Sequence, residues 1–359
     1  MLKRYDLVPD NCPKPSRIAG MREKFGFYRG LTMKIAVMGL KAMAIVGLLL
    51  SGASPGFSQV ITPSMDPTQS ILMPSAAGWR EKPAVGVGYQ EGSGTRDLMG
   101  KQVYQFDNSG VDGNLSFKAG NVFVEMYASQ NSTNVKLERF YDGQINLQFD
   151  DTRLNIALAG NDFMTIGLGV RSTESKDHVD ATHDSEITKA VRTIGSISVK
   201  TLDIFFLGLG FERVKEENGY AVDLTWNNIV SGLAMHLGQP GGTQFRVEYA
   251  LAHSDSEENG LTGDLVENRH PATTITRMSG ELKFSGLLFS LSSEESTIDA
   301  NMIENGETVE EIKTVNTQGG VLWIPENGLS LGFYFLTSTA DASYHDSNGS
   351  FKVKLAYIF

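Results

Sequence analysis

Phe351-Lys352-Val353-Lys354-Leu355-Ala356-Tyr357-Ile358-Phe359 is the stretch from which the fold reads. In an extended chain successive side chains point to opposite faces. Phe351, Val353, Leu355, Tyr357 and Phe359 therefore share one face, all of it apolar or aromatic. Lys352, Lys354 and Ala356 share the other with Ile358. Two unlike faces on one strand call for two unlike environments. In a soluble sandwich the apolar face would meet a second sheet. In a membrane barrel it meets lipid, and the polar face lines the lumen.

The pattern recurs upstream. Met164, Ile166, Leu168 and Val170 alternate with Thr165, Gly167, Gly169 and Arg171. Phe205, Leu207, Leu209 and Phe211 alternate with Gly208, Gly210 and Glu212. Phe245, Val247, Tyr249 and Leu251 alternate with Gln244, Arg246, Glu248 and Ala250, and Leu329, Leu331, Phe333 and Phe335 repeat the pattern. A tilted strand needs about 9–11 residues to cross hydrocarbon, and these segments are long enough.

The two ends of the chain favour the barrel. From Met33, Lys34 and Lys41 precede a short apolar run, Ala42 to Leu50, and a small, turn-prone stretch ending near Ser58. These are the parts of a cleavable secretory signal, expected over 33–58. Residues 1–32 are too long for the charged start of such a signal and read as a mis-assigned upstream start or an extension. The only Cys, Cys12, lies there, so neither a disulfide framework nor a Cys-based zinc site is expected. Without residues 1–58 the chain keeps 22 basic and 39 acidic residues, a net charge of −17 in place of −11. That balance argues against a nucleic-acid partner. At the other end, apolar residues at alternate positions before a terminal Phe359 resemble the signal read by the bacterial barrel-assembly machinery. An edge strand with its lipid face already sorted is a ready template for pairing.

The expectation is an all-β chain: a transmembrane antiparallel β-barrel of about fourteen strands over 82–359, within a range of twelve to sixteen. Its setting would be the outer membrane of a Gram-negative bacterium, in contact with lipid and lipopolysaccharide. Fourteen strands require two long, bulged strands near Asp150-Asp151 and Asn227-Asn228. Tight turns are expected at 119–120, 160–162, 200–201, 239–242, 285–286 and 325–328. Long loops are expected at 92–110, 130–141, 173–188, 254–271, 300–308 and 340–348, with a shorter one near 216–219. The lumen face would carry Arg153, Arg171, Arg192, Arg246, Arg277, Lys283, Lys352 and Lys354 against Glu125, Asp223, Glu248, Glu281 and Glu294. Such charges either fill a narrow barrel with ion pairs or set the selectivity of a polar channel. Trp226, Trp323, Tyr249, Tyr357 and Phe359 suit the interfacial girdles.

Other motifs fall short of a site. Asp255 to Gly260 begins like a calcium loop, but its twelfth position is Val266 rather than a bidentate Glu. His178, Asp180, His183 and Asp184 cluster on a polar segment that reads as a solvated loop. His253 and Ser254 lack any nucleophile motif, and His236 stands opposite in parity to its Leu neighbours. No catalysis, cofactor or metal is expected.

Residues 59–81 do not alternate. Asp66 to Gly78, followed by Lys82-Pro-Ala-Val-Gly-Val-Gly-Tyr89, resembles the start of the FadL-type outer-membrane transporters of hydrophobic compounds. That family has an N-terminal hatch with an Asn-Pro-Ala triplet before a fourteen-stranded barrel. Here Met73 and Ser75 flank Pro74, which alone matches and is the hatch candidate. The resemblance implies a lumen plug over 59–81, passive uptake of a small hydrophobic solute, and sideways release through a wall defect at a bulge. A general hydrophilic porin, a structural or surface-interaction barrel with a filled lumen, and a lipid-modifying barrel enzyme remain the alternatives.

Overall fold

A computed structural model describes residues 62–80 except 63, 67 and 68. From 82 onward it describes all but 99–100, 138–143, 181–182, 219–221, 239–241, 255–256, 259–268, 271, 299–301, 305–306, 310, 326–327 and 342–343. The expected signal at 33–58 and the extension at 1–32 lie outside the described residues.

Fourteen antiparallel strands close into one barrel. In chain order they are β1 (Ala84–Leu98), β2 (Lys101–Ala119), β3 (Val122–Leu137), β4 (Gln144–Asn161), β5 (Met164–Asp180), β6 (His183–Thr201) and β7 (Phe205–Asn218). There follow β8 (Val222–Gly238), β9 (Gln244–Ser254), β10 (Thr273–Phe284), β11 (Leu287–Ile298), β12 (Ile312–Trp323), β13 (Gly328–Asp341) and β14 (Tyr344–Ile358). Each strand pairs with its sequence neighbours, and β1 closes on β14 from Ala84↔Ile358 to Leu98↔Tyr344. Two short ribbons, 257–258 with 269–270 and 302–304 with 307–309, form separate two-stranded sheets.

The expected tight turns at 119–120, 160–162, 200–201 and 285–286 lie at one end, while most of 239–242 and half of 325–328 fall outside the described residues. Between β10 and β11 two residues suffice, because Ser285 (φ 51°) and Gly286 (φ 80°) are both left-handed, as a two-residue hairpin with the native strand twist requires. Leu202 (φ 52°) and Asp203 (φ 60°) make a comparable reversal between β6 and β7.

The outward face is an apolar belt. Leu168, Phe335 and Phe359 are 66%, 67% and 59% exposed, and similar residues stand on every strand. A water-soluble protein rarely exposes an apolar patch beyond a few hundred Å², so a belt around a whole barrel belongs in hydrocarbon. The inward face is polar and buried. Arg246, Glu248 and Glu125 are each 1% exposed.

Three expectations are corrected. Of the expected loops, the described residues 92–98 and 101–110, 130–137, 173–180 and 183–188, and 340–341 and 344–348 instead continue the ladders of β1–β2, β2–β3, β5–β6 and β13–β14. Above the belt both faces meet water, so apolar alternation stops while pairing goes on. The bulges near Asp150-Asp151 and Asn227-Asn228 are absent. β4 pairs evenly with both neighbours through 150–151 and β8 pairs evenly with β7 through 227–228, so neither place carries the expected bulge. The register shifts are at Arg96/Asp97, Ala159/Asn161, Ser175/Asp177 and His178/Asp180. Without the β8 bulge, parity runs on unchanged. Trp226 therefore faces inward, buried beside Val214 and Ala190, and is not a girdle residue.

The wall is uneven. β9 has 11 residues and β10, β11 and β12 have 12 each, while the other strands have 14 to 19. β8 pairs with β7 over 222–235 but with β9 only over 228–238.

Candidate functional site: the occupied lumen

The described part of 62–80 lies inside the barrel, held by three kinds of contact. The first is a charged clamp on β9 and β10. The Glu248 carboxylate accepts the Thr62 N–H at 3.2 Å and pairs with Arg246 at 2.6 Å. Arg246 also donates to the Thr62 hydroxyl and carbonyl, both at 3.0 Å. His236 on β8 shares a 3.0 Å hydrogen bond with the same hydroxyl. Glu281 accepts from the Ser64 hydroxyl and from the Met65 N–H at 2.8 Å, with Arg246 3.8 Å away. Three strands along the wall from β10, the Tyr334 hydroxyl on β13 donates to Asp66 at 2.6 Å. These charges are buried yet each meets several partners, the condition under which a buried charge is tolerated.

The second contact is an apolar floor. Ile71, Met73, Ala76 and Ala77 pack with Phe123, Ala157, Phe206, Ala234 and Ala250. Trp79 meets Phe206 edge-on at 5.6 Å. Fully burying a side chain such as Ile71 or Met73 contributes about 1.5–3 kcal/mol. The segment thus turns apolar side chains into an otherwise polar lumen.

The third is a seat for one helical turn, Pro74–Ala77, with proline at its start, where a missing N–H costs nothing. The turn rests on β5 at Gly167 and Gly169. A Cβ on Gly167 would stand 2.2 Å from the Ser75 nitrogen, and one on Gly169 2.6 Å from the Pro74 ring. Only glycine admits that approach. Ser75 is then tied on every side. Its N–H donates to Ser196 at 2.8 Å, its hydroxyl meets Ser198 at 2.8 Å, and its carbonyl accepts from Thr165 at 2.6 Å. The Ile71 carbonyl accepts from Asn155 at 2.8 Å, and Arg80 lies 3.7 Å from Glu125.

The rest of the inner face is a mesh of ion pairs. Arg153, Arg171 and Arg192 are register neighbours across β4, β5 and β6. Asp151 holds the first two at 2.7 and 3.0 Å, and Glu212 stands 3.7 Å from the third. Lys352 pairs with Asp112 at 2.5 Å, and Arg96 grips Asp346 through two nitrogens.

Of the lumen candidates, Glu125, Arg153, Arg171, Arg192, Arg246, Glu248, Arg277, Glu281, Lys283, Glu294, Lys352 and Lys354 stand on inward rows, with Arg277 and Glu294 register partners. Asp223 does not. It pairs in register with Glu217, an outward position, and its side chain lies outside the described residues. Pro74 sits in the seated turn. Phe351, Val353, Leu355, Tyr357 and Phe359 all face outward. His253 is outward beside Thr274 at 3.1 Å, while Ser254 faces inward, so the two share no face. The side chains of His178, Asp180, His183 and Asp184 lie outside the described residues, as does most of 255–266. Sequence reading missed Thr62, Asp66, Arg80, Asp112, Asp151 and Tyr334. Parity could have found Asp112 and Asp151, each on the row of an inward neighbour.

No family model matches this chain, and neither does any curated protein. Solved structures do. The Pseudomonas putida toluene transporter TodX superposes with a TM-score of 0.53, at 9% identity over 80% of this chain and 91% of that one. The Ralstonia pickettii toluene transporter TbuX gives 0.51, at 7% identity over 80% and 92%. A Pseudomonas aeruginosa FadL homologue gives 0.50, at 9% identity over 79% and 92%. The fold is that of the FadL-type channels. Those neighbours are transporters or channels and not enzymes, and the strand number expected from the sequence agrees with the closed barrel.

Proposed function

We propose that this chain is an outer-membrane channel for passive uptake of small hydrophobic molecules, with residues 59–81 as a plug in its lumen. The observation that carries the reading is the placement of 62–80. An apolar turn, held through a charged clamp on the wall, stands in the lumen of a barrel whose outside is fitted to lipid. Two of the named neighbours, TodX and TbuX, are toluene transporters, and the shared fold supports the solute class for this chain. On this reading the charged lumen fixes the plug, and the solute meets the apolar floor around Met73, Phe123 and Phe206 when the plug shifts.

Planar-bilayer conductance and toluene influx into proteoliposomes test it. The full chain is expected to be nearly silent electrically. Deleting 59–81, or replacing Gly167→Leu to unseat the Pro74 turn, is expected to raise conductance. Silence in both altered chains, with the barrel folded, would support a filled structural barrel instead and remove the transport reading.

A further inference from the structure

The inner face is not charged throughout. Over the outer half of β12 to β14 it carries a neutral patch. Asn316 on β12, Ser338 on β13 and Asn348 on β14 are successive register partners on inward rows. Thr314 and Gln318 stand one inward step to either side of Asn316. All five residues are at most 8% exposed. Their side-chain oxygens are buried without a hydrogen-bond partner among the described residues, and so is the hydroxyl of Ser290 on β11.

A buried oxygen left without a donor costs about 1–3 kcal/mol. Several on one sector call for a guest that brings donors. The charges bordering the patch are already matched. Glu294, the β11 register partner of Asn316, has Arg277 as its β10 register partner, and Asp346 is gripped by Arg96. Two apolar groups stand among the oxygens. Leu336 is the register partner of Gln318 and joins the buried cluster of Leu288, Leu322 and Tyr334. The Phe106 ring lies over Gly94, the β1 register partner of Asn348. The patch is nearer the outer end than Gly320, the register partner of Tyr334, which holds Asp66. A solute entering from outside therefore meets it before the lumen segment. A cavity lined by Gln69, Arg277, Ser290 and Ser292 continues the patch to that segment, Ser292 being the register partner of Gln318.

We propose that this patch binds an uncharged solute bearing hydroxyl groups on an apolar ring, a dihydroxybenzene rather than a hydrocarbon. The amide oxygens of Asn316, Gln318 and Asn348 can only accept, and a phenolic hydroxyl, with an ordinary pKa of about 10, keeps its proton at neutral pH and donates it. Adjacent strands lie about 4.8 Å apart, so Asn316 and Asn348 stand about 10 Å apart along the wall, within reach of two hydroxyls on one ring. Leu336 and Phe106 would meet the ring itself. A hydrocarbon of the same shape would leave the oxygens without donors, and a site built to bond a hydroxyl rejects the analogue that lacks it. The inference rests on the uptake reading above and narrows its solute.

The test uses the full chain, refolded in lipid-free detergent and dialysed to equilibrium against radiolabelled resorcinol, with uptake by detergent alone subtracted. Saturable binding is expected. Unlabelled resorcinol is expected to compete, and 1,3-dimethoxybenzene, the same ring with its donors capped, to compete about tenfold or more weakly. The double variant Asn316→Leu/Asn348→Leu is expected to bind resorcinol about tenfold or more weakly, the loss of two hydrogen bonds. Lys313→Gln, outward on β12, is expected to bind as the parent does. Retained heat-modifiable migration checks that each variant is folded, and Gln318→Leu serves if the double variant is not. Absence of saturable binding, equal competition by 1,3-dimethoxybenzene or by glucose, or unchanged binding by the folded patch variants would overturn the proposal and leave hydrophobic uptake standing. Uptake itself is judged by bilayer conductance without resorcinol, so the two failures are told apart.

Discussion

Within β9, Arg246 and Glu248 are each 1% exposed while their neighbours Phe245 and Tyr249 are 39% and 40% exposed. In a soluble protein those numbers would be exchanged. The two faces of one strand obey different solvents, and their energetics differ in kind. On the outside each side chain meets lipid on its own terms, so effects should add residue by residue. On the inside Arg246 serves Thr62, Glu248 and Glu281 together. Removing one group there strands several others.

The largest effect tests that difference from within. Arg246→Ala removes the cation paired with two buried carboxylates, Glu248 and Glu281, for which a loss of about 3–5 kcal/mol is expected. The unfolding midpoint of the barrel in urea-titrated lipid vesicles measures it. A loss below about 1 kcal/mol would mean that water reaches these charges. A smaller effect is expected on the outside. Leu168→Arg puts a charge in the belt, and about 2–4 kcal/mol is expected if the position lies near the bilayer midplane. The same assay in detergent should shrink that penalty, because micelles deform around a charge. The smallest concerns the faces above the belt, where both meet water. Lys313 and Glu295 are side by side at 2.7 Å with side chains 47% exposed. Lys313→Ala is expected to leave the midpoint where it was, since an exposed ion pair is screened. A clear shift would show that the upper wall is not water-exposed.

The legibility of the sequence follows the same division. β14 and β5 could be read because lipid and lumen impose opposite chemistry on alternate residues such as Leu355 and Lys354. Strand number followed from turns at one end. The upper ladders of β1–β2 and β5–β6 could not be read, since Asp107 and Asn108 both face water or polar neighbours and leave no period to see. Trp226 and Asp223 were misplaced together, by one cause: a supposed bulge at Asn227-Asn228 flips both. The lumen segment was legible only as a departure from alternation. Nothing local in Thr62 or Asp66 announces partners such as Glu248 and Tyr334, 186 and 268 residues away. Gly167 and Gly169 looked like ordinary strand glycines until the turn they receive was in place.

Closure of β1 on β14 bears on how the molecule comes apart. The two strands pair over their whole length, and the Phe359 N–H reaches on to the Pro83 carbonyl at 3.1 Å. A sheet with free edges can fray, shedding its outermost strand at the expense of one ladder. A closed wall offers no outermost strand, so the first to leave must break two ladders at once and expose backbone to hydrocarbon on both sides. Partial opening of the wall is therefore costly from its first step. Unfolding should be all-or-none in character, with a slow rate that protects the protein even where its equilibrium stability is modest.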